Sequence, residues 1–99
     1  MIAVRRMDLA PTARISHHPD AMATDLGDLV VILQIQTGVF HQLNQVGSFI
    51  WKELAEPVEF AALGRKAAQF FDVDPGVCSN DIAEFLRALS AQGLLVIEP

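Results

Sequence analysis

The stretch between residues 29 and 43 constrains this chain most. Residues 29–36 are rich in Val and Ile, whose branched side chains fit a pleated, half-buried surface. Thr37-Gly38 then reverses the chain into Val39-Phe40-His41-Gln42-Leu43. Glycine at the left-handed position of a bulged three-residue loop suits that reversal. In this register Ile35 opposes Val39, Leu33 opposes His41 and Val31 opposes Leu43, which keeps the apolar set on one face. A two-residue loop would place Leu43 with Ile32 and Gln34 instead. An isolated hairpin is marginal in water, so the elements around it must cover its apolar side.

Those elements are legible on both flanks. Residues 21–24 form a further short strand, closed by the turn-prone Asp25-Leu26-Gly27-Asp28. Asn44 is a good N-cap, and the helix predicted over 45–56 sets Val46, Phe49, Ile50 and Leu54 on one stripe with Trp51 beside it. Pro57 stops it. A second helix over 59–71 carries Phe60, Leu63, Ala67, Phe70 and Phe71. Asp74 caps a third, with Pro75 at a tolerated first position. It runs to Gln92 on a stripe of Cys78, Ile82, Phe85, Leu86 and Leu89, and Gly93 ends it. Residues 94–97 read as a terminal strand or extended tail. Residues 1–20, with Pro11, Pro19 and no sustained period, are expected to be an extended or mobile arm. The order predicts one α+β domain over 21–98, a three-stranded antiparallel sheet followed by a trihelical, winged-helix-like group.

Composition narrows the function classes. With 52% apolar and 19% charged residues in 99, the chain has material for a real core and cannot stay disordered. Seven Lys+Arg against twelve Asp+Glu give a net charge of -5. From Asp72 onward the acids Asp72, Asp74, Asp81, Glu84 and Glu98 face Arg87 alone. A recognition helix so charged repels phosphates, which excludes nucleic acid as a partner and leaves a DNA-reading winged helix a distant third. The longest apolar run, 29–35, is interrupted by Gln34 and falls short of the ~20 residues of a membrane span. No signal peptide is expected either, and a single cysteine, Cys78, suits a reducing cytoplasm.

Catalytic signatures are missing. The sequence has no nucleophile elbow, no Gly-rich phosphate loop and no paired His and Cys at useful spacing. His17-His18 diverge along an arm without a third ligand, so neither catalytic residues, a metal nor a cofactor are expected. What the pattern does offer is a sheet edge. If the first strand pairs with the far side of 29–36, Val39, Phe40, His41, Gln42 and Leu43 form an open border able to accept a foreign strand. Beside it the third helix presents Ile82, Phe85, Leu86 and Leu89. Ile82 and Leu86 belong mainly to the core, and Phe85, Arg87 and Leu89 are candidates for a groove rim.

Two motifs sharpen this reading. Gly38-x-Phe40-x-x-Leu43-Asn44-x-x-Gly47-x-x-Ile50-Trp51-x-x-Leu54 resembles a segment shared by PqqD-like proteins. Val73-Asp74-Pro75, followed by Asp81-Ile82-x-x-Phe85-Leu86-x-x-Leu89-x-x-x-Gly93-Leu94, is similar to that family's C-terminal half. The likeness covers residues 15–97 and is nearer the stand-alone members found with lasso-peptide clusters than the protein of pyrroloquinoline quinone biosynthesis. It implies a non-catalytic peptide chaperone that holds the leader of a ribosomally made precursor as an added strand. The carried-over strand positions are Val39, Phe40, His41, Gln42 and Leu43. The helix positions are Ile82, Phe85, Leu86 and Leu89, with Arg87 as partner for an acidic leader residue. The implied partners are the leader peptide and a modifying enzyme or leader protease. The alternative is a structural or regulatory module, a homodimer exchanging edges or a part of a larger enzyme complex.

Overall fold

Two glycines in the left-handed region, Gly27 (φ 69°) and Gly38 (φ 71°), turn the chain where L side chains would be strained. The computed structural model describes residues 9–99. Its elements in order are β1 (Arg14–His17), β2 (Ala21–Leu26), β3 (Leu29–Gln34), β4 (Val39–Gln42), α1 (Gln45–Glu53), β5 (Val58–Glu59), α2 (Phe60–Phe71), α3 (Pro75–Ala91) and β6 (Leu95–Glu98). The strands β2, β3 and β4 form the expected three-stranded antiparallel meander, and three helices follow it. No helix among the described residues is long and apolar enough to cross a membrane.

The hairpin register differs from the expected one by a residue. Val31 pairs with Gln42, Ile32 with His41, Leu33 with Phe40 and Gln34 with Val39. Val30, Ile32 and Gln34 are therefore the buried face, and Leu43 joins them through its N–H bond to the Val30 carbonyl at 2.9 Å. Counting apolar residues misjudged Gln34. Its amide is satisfied inside, with Nε2 donating to the Gly93 carbonyl at 3.0 Å and Oε1 accepting from the Gln36 N–H at 2.7 Å. A buried amide with partners costs little, so polarity does not decide the face here.

A second sheet, in the order β5-β1-β6, corrects the expected arm over residues 14–17. Arg14 to His17 pair with Glu98 to Leu95, and Ile15 is fully buried opposite Ile97 and Val58. The Pro11 and Ala13 carbonyls accept the first N–H groups of α2, from Ala61 at 3.0 Å and Phe60 at 2.8 Å. The strand is four residues long and its partners lie more than forty residues away, so no local period announces it. Residues 1–8 of the arm lie outside the described residues. His17 stacks on Trp51 with ring centroids 3.7 Å apart and sends Nε2 to the Trp51 carbonyl at 2.9 Å. His18 Nδ1 accepts the Asp20 N–H at 3.0 Å. The two histidines thus serve structure, and the described residues contain no group of three metal-ligating side chains.

The helices follow their stripes. Asn44 caps α1 by accepting the Gly47 N–H at 2.8 Å. The helix ends at Glu53, sooner than 56, where Leu54 leaves helical geometry and turns its N–H back to Trp51 ahead of Pro57, whose ring disfavours helix just before it. Ile50, Leu54, Leu63, Leu86 and Leu94 fill the core between the sheets and helices. Gly93 (φ 76°) closes α3, with the Leu94 N–H bonded to the Leu89 carbonyl at 3.0 Å.

Ser48 is the one buried hydroxyl among the described side chains. Its Oγ accepts the Val30 N–H at 2.9 Å and donates to the Leu43 carbonyl at 3.4 Å, bridging the mouth of the β3–β4 ladder. Replacing Ser48 by Ala leaves a buried donor and acceptor unpaired. Chemical denaturation should show a loss of about 1–3 kcal/mol of unfolding free energy.

Candidate functional site

β4 lies at the outer position of its sheet, and among the described residues no strand pairs with its far side. The ladder alternation decides which groups are free. Leu43 and Val30 form a hydrogen-bonded position, so His41, two residues before Leu43, also directs its main-chain groups toward β3. Phe40 and Gln42 point theirs outward. Two N–H and two C=O groups are thereby offered to a further strand. Their side chains, with Leu33 and Met22 in line across the sheet, lie on the outer sheet face. Phe40 is 69% exposed and Met22 60%.

The edge runs into an apolar groove of about 630 Å³ at its C-terminal end. Gln42, Leu43 and Asn44 form one side, Val46, Gly47 and Ile50 of α1 the floor. Ala67 and Phe71 of α2, Val73, and Cys78, Asp81, Ile82 and Phe85 of α3 complete it. Gly47 explains how closely α1 and α3 approach here. A Cβ at that position would lie 3.0 Å from the tip of the Phe85 ring, inside ordinary contact distance, so the ring rests directly on backbone. Phe71 is held by an edge contact with Phe49 at 5.2 Å between centroids, and Phe70 stacks on Phe49 at 4.2 Å. The groove wall on the α2 side is therefore a packed aromatic group.

The sequence-predicted site residues divide in this geometry. Val39, Phe40, His41, Gln42 and Leu43 lie along the edge, although Leu43 is buried. Phe85 is half-buried and, with Ile82, lines the groove. Leu86 and Leu89 are core residues, 0% and 7% exposed. Arg87 lies in a neighbouring hollow with Leu9, Phe60, Glu84 and Asp81. Asp81 borders both this hollow and the groove, but the groove does not bring Arg87 together with β4. Sequence reasoning missed Val46, Gly47, Phe71, Val73 and Asp81. Val46 and Phe71 sat on helical stripes assigned to the core, and the need for a side chain no larger than hydrogen at Gly47 is visible only once Phe85 is placed above it.

The electrostatics of the groove are simple. Among the described residues, Asp81 is the only one in the lining charged at neutral pH. Burial, and secondarily the Asp81 carboxylate one helical turn along, push the pKa of the Cys78 thiol up, which keeps it protonated and a poor nucleophile. The described residues of the lining pair no nucleophile with a base, and their surface is mostly apolar.

The comparisons with known proteins fit this geometry. The family model for coenzyme PQQ synthesis protein D (PqqD) matches residues 30–95, from β3 through the start of β6. The chain belongs to the PqqD family. No curated protein matches it. Among solved structures, TbiB1 in complex with the TbiA(beta) leader peptide is 31% identical, with a TM-score of 0.77 over 81% of this chain and 93% of that one. A lasso peptide synthetase B1 complexed with its leader peptide is 20% identical and shares the fold, with a TM-score of 0.74 over 83% of this chain and 96% of the other. The expected PqqD-like fold is thus present, with the β5-β1-β6 sheet added to the three strands and three helices read from the sequence.

The thiol gives a direct check on the groove. Iodoacetamide at mildly alkaline pH should alkylate Cys78 in the native protein at least about tenfold more slowly than in denaturant, because both burial and the raised pKa suppress the thiolate. Mass spectrometry of the labelled peptide reads the rate.

Proposed function

We propose that this PqqD-family protein is a non-catalytic carrier for the leader segment of a ribosomally synthesised precursor peptide. The leader joins β4 as an added strand, and the complex is presented to a modifying enzyme or leader protease of a lasso-peptide or related assembly route. The observation that carries this reading is the free β4 edge opening onto an apolar groove roofed by α3. The likeness to TbiB1, solved with a leader peptide, supports it.

The physical division of labour follows from the site. Main-chain bonds to Phe40 and Gln42 supply affinity with little dependence on leader sequence, each worth about 0.5–1.5 kcal/mol net. Selectivity comes from the groove, where each fully covered apolar side chain of the leader contributes about 1.5–3 kcal/mol. Two covered side chains therefore contribute about as much as the four edge bonds together, and a third tips the balance to the groove. The row Met22–Leu33–Phe40 on the outer sheet face is continuous with the same edge. A leader strand would extend that row, which makes it the surface on which an enzyme receiving the precursor can contact carrier and leader together.

Proline at Gln42 removes an outward N–H without touching the β3–β4 ladder, a substitution an edge strand tolerates. Gln42→Pro should keep its circular dichroism and melting profile yet bind leader peptide at least about tenfold more weakly by calorimetry. Undiminished binding by the folded variant would refute strand addition. The outer face has its own test in sedimentation velocity. Met22→Asp, on the same face but on β2 away from the edge, should leave leader binding and the monomer sedimentation coefficient unchanged while losing association with the processing enzyme. A concentration-dependent dimer in the unmodified protein, abolished by Met22→Asp, would instead assign that face to self-association.

A further inference from the structure

Asp81 stands out in the groove because no cation among the described residues of the lining answers its charge. It sits on α3 between Cys78 and Phe85, three residues after one and four before the other, so all three share a helical face and all three line the groove. Its carboxylate is exposed and, among the described residues, makes no ion pair. It shares the groove lining with the Cys78 thiol, whose pKa its charge helps to raise after burial. Asp81 stands on the ridge between the groove and the hollow lined by Arg87, the one cation of α3, and borders both. Arg87 does not reach the groove lining. The sign of the site is therefore negative, the reverse of what an Arg87 contact would have given, and the net charge of -5 reinforces it.

We propose that Asp81 makes this groove select a leader carrying a lysine or arginine next to the apolar side chain that fills the pocket. The inference rests on the strand-addition reading. A bare carboxylate at the lip of an apolar slot is inexpensive while water reaches it. Once a peptide covers the slot, water is displaced, the local dielectric falls and the charge of the covering residue matters more. A cation there is attracted, a neutral residue leaves the carboxylate partly desolvated and unpaired, and an acidic residue is repelled. The position concerned is the one just outside the stretch paired with β4, because the groove begins where Gln42 and Leu43 leave the strand.

The test needs no knowledge of the natural precursor. A displayed library of random dodecapeptides is selected against the unaltered protein and against Asp81→Asn and Asp81→Lys. The unaltered protein should enrich peptides with Lys or Arg beside a bulky apolar residue, Asp81→Asn should lose that bias, and Asp81→Lys should enrich Asp or Glu instead. A synthetic peptide from the first pool should bind Asp81→Asn about three- to tenfold more weakly. Changing its basic residue to norleucine should weaken binding to the unaltered protein and leave binding to Asp81→Asn unchanged. Pools of the same charge from all three proteins, or a basic peptide that binds Asp81→Asn as tightly as the parent, overturns the role of Asp81. If those same peptides lose binding to Gln42→Pro, the strand-addition reading survives that failure. If they bind Gln42→Pro normally, or if no pool emerges at all, the strand-addition reading falls and this inference with it.

Discussion

The geometry of the groove depends on one hydroxyl. Ser48 reaches from α1 into the end of the β3–β4 ladder, beside the direct Leu43 N–H to Val30 carbonyl bond, and relays the return path, accepting from the Val30 N–H and donating to the Leu43 carbonyl. A helix is thereby fastened to the strand pair at the point where β4 ends and the groove begins. The Asn44 cap fixes the start of the same helix four residues earlier. Between them the two contacts define the angle at which α1 leaves the sheet, and so where Val46, Gly47 and Ile50 stand relative to the open edge. Hydrophobic burial supplies most of the stability, but being non-directional it would tolerate other placements. The directional bonds choose among them.

The elements whose signal is local were legible in the chain. Three helical stripes, the Asn44 cap, the Gly38 reversal and the Gly93 stop all depend on neighbours within a few positions, and the structure carries each of them. The failures share a cause. The hairpin register turned on whether Gln34 could be buried, and the answer lies in the Gly93 carbonyl, 59 residues away. β1 was unreadable because its partners are β5 and β6, neither of which is near it in sequence. Arg87 and Leu89 were placed by helical periodicity and by the family resemblance, and periodicity gives the angle between side chains but not the orientation of the helix about its axis. A rotation of α3 by part of a turn exchanges Arg87 for Asp81 at the groove and reverses its charge.

The site itself was half visible. The edge strand follows from topology, which short loops and alternating strands determine, so Phe40 and Gln42 could be named beforehand. Which main-chain groups face outward required the true register. The groove is made by three helices and a strand meeting at one corner, and its lining residues have nothing in common in sequence except being apolar. Val46 and Phe71 looked like core because at the level of pattern a groove wall and a core are the same thing.

Phe85 leaning on Gly47 has a consequence beyond packing. At that contact the floor of the slot is set by a hydrogen atom, where every other amino acid would put carbon 3.0 Å from the ring. The ring is only half-buried and free to yield toward the open side, so an added methyl would tilt it into the space an incoming side chain needs while leaving the fold intact. A single nucleotide change, glycine codon to alanine codon, is therefore enough to make the slot shallower. Descendants of one ancestral gene could in this way come to accept slimmer cargo without rebuilding anything else.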